Sequence, residues 1–134
     1  MSAHSDGPMY DVLIASDDSD DLRERMAACQ RAGLNCAGTR GMIETRNALL
    51  TGYARAFVLP LTMRLATALA DLAVLRNPRV VIVPLADASV PNAQCVYDIV
   101  PNARTMLNTR VAPEDLAAVL CHVIETEAPM RETA

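Results

Sequence analysis

Asp17, Asp18, Asp20 and Asp21 set four carboxylates within a stretch of five residues. Carboxylate oxygens are the donors that a hard cation such as Mg²⁺ prefers. At the start of a helix, the same residues accept from free backbone N–H groups and suit the positive end of the dipole. Capping uses one or two acids, so two roles stay open: a helix cap, or an ion pocket built on Asp17 and Asp18. The remaining chemical residues are scattered. Cys29, Cys36, Cys95 and Cys121 form no C-x-x-C pair and lack zinc spacing. They read as reduced thiols that behave as small hydrophobes. His4 and His122 are too few and too far apart for a metal or triad centre. Cys121 and His122 are adjacent, but neighbours on a helix point in different directions and make a poor dyad.

Composition narrows the chemistry further. Twelve basic and sixteen acidic residues give a net charge of −4, and every basic residue is Arg. Without a single Lys, Schiff-base chemistry and the lysine of a phosphate-binding loop are excluded. The stretch Ser16–Asp21 has no Gly, so it is not a glycine-rich nucleotide cradle. An acidic chain with no Trp and one Phe offers little to nucleic acid or to an anionic membrane. No apolar run approaches the roughly 18 residues of a membrane span, and Ser2–Pro8 has no basic n-region of a signal peptide. The expectation is a cytoplasmic, non-enzymatic domain with no cofactor beyond, at most, weakly held Mg²⁺.

The elements that must position these residues alternate. Val12–Ala15, Ala56–Leu59 and Val80–Val83 are continuous apolar runs, the pattern of parallel strands buried on both faces. Asn35–Gly38 and Thr105–Leu107 read as weaker strands. Leu22, Met26 and Cys29 recur at helical spacing up to Gly33, and Met42, Ile43, Leu49 and Leu50 do so up to Gly52. Leu65, Leu69 and Leu72 mark a third helix that ends near Asn77 and Pro78. Pro91 and Pro101 bracket a short, irregular helix over 93–99. Pro113, Glu114 and Asp115 open the last helix, whose apolar stripe is Leu116, Val119, Leu120 and Val123. Strands alternating with helices imply right-handed crossovers and a doubly wound α/β fold: five parallel strands in order 2-1-3-4-5, with helices on both faces. The boundaries are a flexible leader at 1–9, one domain at 10–125 and a flexible tail at 126–134.

In such sheets, function gathers outside the carboxyl ends of the strands. There the segment Leu13-Ile14-Ala15-Ser16-Asp17-Asp18-Ser19-Asp20-Asp21-Leu22-Arg23 resembles the opening of bacterial response-regulator receiver domains. Ala112-Pro113-Glu114-Asp115-Leu116 is similar to the start of their last helix, and the order of elements extends the resemblance over about residues 11–125. The resemblance implies a flavodoxin-like fold and two-component signal transduction by phosphorelay. It also implies a phosphoacceptor Asp at the end of the third strand, where this chain has Pro60. No Asp or Glu lies between Arg55 and Ala70. The hydroxyl expected after the fourth strand is missing from Val83–Asp87, the nearest being Ser89. Thr109 stands where the family has its Lys, and Arg110 where it has the following Pro. With no Pro there, the Thr109–Arg110 peptide is expected to be trans, since a non-prolyl cis bond costs about 2.5–4 kcal/mol.

Of the family's chemical set, only Asp17 and Asp18 remain, so the chain resembles an atypical, pseudoreceiver member. The resemblance then implies a non-catalytic module that acts by contact with protein partners. Its contact face would join the helix over 93–99, the fifth strand and the last helix. Tyr97, Arg104, Met106, Arg110 and His122 are the residues expected on that face, which also suits a homodimer. One alternative is the sensory N-terminal half of a longer transcription or antitermination regulator. Another is a small-molecule-binding domain at the carboxyl edge of the strands.

Overall fold

The computed structural model describes residues 9–87 and 100–133. The order is β1 (Met9–Ser16), α1 (Ser19–Arg31), β2 (Cys36–Arg40), α2 (Gly41–Thr51), β3 (Tyr53–Pro60), α3 (Ala66–Arg76), β4 (Val81–Ala86), β5 (Leu107–Asn108) and α4 (Pro113–Thr133). The strands form one parallel sheet in order β2-β1-β3-β4-β5, as the alternation of elements predicts. The short helix expected over 93–99 lies outside the described residues. Among the described residues, no helix is long and apolar enough to cross a membrane.

Each central strand feeds two cores because successive side chains point to opposite faces. Leu13, Phe57, Leu59 and Ile82 pack with Leu49 of α2 and Leu69 of α3. Val12, Ile14, Val58, Val83 and Leu85 pack with Cys29 of α1 and with Leu116 and Leu120 of α4. Phe57, the single Phe, is fully buried. The apolar runs that contain no polar residue are the strands covered on both sides.

Local chemistry sets the boundaries. α1 ends in a Schellman motif: Leu34 N–H bonds the Cys29 carbonyl, Gly33 N–H bonds that of Gln30, and Gly33 sits at φ +88°. β2 starts one residue and ends two residues later than the sequence pattern suggests. Asn35 is spent on the crossing to β1, its carbonyl accepting from Asp11 and Val12. Thr39, polar in the sequence, is buried, and its hydroxyl lies 2.7 Å from that of Thr45.

β5 is also displaced, to Leu107–Asn108 rather than Thr105–Leu107. Pro84 accounts for this. Ile82 N–H bonds Asn102, and Ala86 accepts from Thr109 N–H, so the even residues of β4 face β5. Pro84 falls between them with no N–H to donate. Pairing breaks there into the isolated bridge Ile82–Ala103 and the short ladder of Leu85 and Ala86 with Leu107 and Asn108. α4 runs to Thr133, past the end of the apolar stripe near 125 and into the stretch expected as a tail.

Candidate functional site

The carboxyl ends of β1, β3, β4 and β5 gather Asp17 and Asp18, Pro60, Asp87 and Thr109 at one edge of the sheet. Asp18 is the cap of α1. Its Oδ1 accepts from Asp20 N–H at 2.8 Å and from Asp21 N–H at 3.1 Å. The buried Ser16 hydroxyl fixes the turn, accepting from Asp18 N–H at 3.0 Å and donating to the Asp18 carbonyl at 3.1 Å. Asp17 is exposed and makes none of these bonds. Among the described residues, no group of three His, Cys, Asp or Glu is placed to hold a metal ion. The donor set fits Mg²⁺ poorly, because one Asp18 oxygen is committed to the cap and Pro60 has no side-chain oxygen.

Pro60 closes β3 and is buried. Its backbone pairs with Leu85, and its carbonyl accepts from Met63 N–H at 3.1 Å. The edge is therefore apolar where β3 and β4 end. At the end of β5, Thr109 N–H bonds Ala86, while the Thr109 hydroxyl oxygen is buried with no hydrogen-bond partner. The described residues contain no cis peptide bond, so Thr109–Arg110 is trans as expected.

Arg25 is the residue that sequence reasoning missed. It lies on the inward stripe of α1 with Leu22, Met26 and Cys29, and is 5% exposed. Its guanidinium donates to the Thr109 carbonyl at 2.8 Å, across 84 residues of chain. A charged residue at an inward helical position was the available signal. A cavity of about 450 Å³ opens beside it, lined by Asp21, Glu24, Arg25, Asp87 and the segment Thr109–Pro113.

The residues expected on the partner face separate. Arg104 and His122 come together in a groove of about 500 Å³ with Val119 and Val123. Met106 is half-buried and packs against the core beneath α2 and α3. Arg110 is exposed and lines the other cavity, beside Arg25. Tyr97 lies outside the described residues. Of the thiols, Cys29 is fully buried, whereas Cys36 and Cys121 are half-buried. Burial, reinforced by Cys36 and Cys121, pushes the Cys29 thiol up from 9.0 to about 12. Cys36 is raised by its own burial and then by Asp11.

No family model matches the chain, and no curated protein does. Solved structures do. A CheY-like response-regulator receiver domain protein from Methanospirillum hungatei superposes with a TM-score of 0.77 at 15% identity, over 92% of this chain and 99% of that one. The chemotaxis response regulator CheY4 of Vibrio cholerae gives 0.73 at 17% identity, over 87% of this chain and 99% of that one. NtrX from Brucella abortus gives 0.77 at 16% identity, over 94% of this chain but 30% of NtrX. In its element order and its sheet order, the chain has the fold of the response-regulator receiver domains.

Proposed function

We propose that this domain is a signalling module that works through protein contact and does not accept a phosphoryl group on an aspartate. The observation that carries the reading is Pro60. Aspartyl phosphorylation needs a carboxylate nucleophile, a cation to neutralise developing charge and a group that holds the phosphoryl oxygens. Pro60 supplies no nucleophile, and the chain has no Lys. Of the acids that remain at the edge, Asp18 is held as the cap of α1. Removing single electrostatic groups costs a few kcal/mol each in such reactions, and each 1.4 kcal/mol is about tenfold in rate. Partner contact, homodimer formation included, is assigned to the groove of Arg104 and His122.

Beryllofluoride with Mg²⁺ tests this reading through amide spectra of the whole chain. No shift is expected at Leu61, Asp87 or Thr109. Saturable shifts at all three would overturn it.

A second reading is favoured by the match to NtrX, which covers 30% of that longer regulator. In that reading the domain is the sensory segment of a longer protein. The gene's complete reading frame decides it: an output domain beyond residue 134 supports the second reading, and a stop codon there removes it.

A further inference from the structure

We infer that the cavity between α1 and the β5–α4 loop binds a small zwitterion of the α-amino acid class. The inference does not rest on the absence of phosphorylation and stands on the cavity itself. Arg25 is a buried guanidinium whose one hydrogen bond goes to a neutral carbonyl. No carboxylate forms an ion pair with it among the described residues. Burying a charge without an opposite charge is costly. Yet no nitrogen of Arg25 is both sealed from solvent and unpaired, as Arg55 Nε and Arg76 Nε are. The free N–H groups of Arg25 therefore reach the cavity that the residue lines.

The charge balance selects the ligand class. Arg25 and Arg110 bring two positive charges to the cavity, and Asp21, Glu24 and Asp87 bring three carboxylates. Asp21, Glu24 and Arg25 share one face of α1, three and four residues apart, so both signs are presented side by side. A phosphate or other polyanion would meet three carboxylates, and a lone cation would meet two guanidinium groups. A molecule with one carboxylate and one ammonium group meets both in their favoured places. Its carboxylate lies against Arg25 and Arg110, and its ammonium against Asp21 and Glu24. A volume of about 450 Å³ accommodates a ligand of that size.

The test is titration of the isotope-labelled full chain with L-α-amino acids of every side-chain class. Acetate, ammonium chloride and inorganic phosphate serve as single-charge controls. The expected result is saturable movement of the Thr109, Arg110 and Val111 amides with at least one amino acid and with none of the controls. Both Arg110→Ala and Asp21→Asn change exposed side chains, which keeps folding out of the comparison. Each is expected to weaken binding about tenfold. The inference is overturned if no amino acid moves these amides, if acetate or phosphate alone reproduces the movement, or if neither variant weakens it.

Discussion

Arg25 shows how one residue ties the edge of the sheet together. It links α1 to the β5–α4 loop and holds the backbone where the last strand ends. Losing a hydrogen bond from a charged donor costs about 1.5–3 kcal/mol, and removing a buried charge returns part of that. Arg25→Met should therefore lower the unfolding free energy by about 1–2 kcal/mol. Urea denaturation measures this, and increased hydrogen exchange at Thr109–Val111 should accompany it. Cys29 makes a separate, pH-dependent contribution. Its folded pKa of about 12 lies above the ordinary 9.0, so above pH 9 the unfolded chain binds fewer protons than the folded one. Stability is fully present below pH 9 and falls by about 1.4 kcal/mol per pH unit towards pH 12. Cys36, raised as well, adds to the same trend. Cys29→Ala should make the fall shallower in urea titrations stepped from pH 8.5 upward, at the cost of a lower plateau.

Among the elements, β2 and α1 approach most closely at Gly38. A Cβ there would stand 2.3 Å from Met26 Sδ and 2.9 Å from Leu22 Cδ1. Both are ends of flexible side chains, so the structure yields rather than breaks. Gly38→Val should cost about 1–3 kcal/mol by overpacking, and adding Met26→Ala should recover part of it. Thermal melts of the single and double variants read this directly. The elements also mark where the sequence is legible. Val12–Ala15, Ala56–Leu59 and Val80–Val83 announce a buried parallel sheet because nothing polar interrupts them. β5 starts two residues later than expected because its ladder depends on Pro84 in another strand, a missing donor that no local pattern around Thr105 records. Thr39 hides the end of β2 because its hydroxyl is satisfied by Thr45 on α2. The site was legible in the same uneven way. Asp17, Asp18, Pro60 and Thr109 could be located by strand ends alone. Arg25 could not, because an Arg on an apolar stripe acquires its meaning only from a carbonyl 84 residues away.

At the scale of the molecule, a receiver fold carries an edge that is apolar in its middle. Pro60 and Leu85 fill the middle of that edge with apolar groups, and Asp18 serves the helix it precedes. The charged groups lie to the side, on α1 and the loop before α4. In the proposed reading, a phosphoryl signal meets no carboxylate at the end of β3, where Pro60 stands. Restoring Pro60→Asp alone should not create an acceptor, because the Lys position is still Thr109. Pro60→Asp with Thr109→Lys should gain a trace of acceptor activity.

The central claim is that the wild-type domain is not a phosphoacceptor. Intact-protein mass spectrometry after incubation with acetyl phosphate and Mg²⁺ tests it most directly. The account predicts an unchanged mass for the wild type, beside a chain of typical receiver sequence that gains one phosphoryl group under the same conditions. A stoichiometric phosphoryl adduct on the wild type, stable to acid and labile to base, would contradict it.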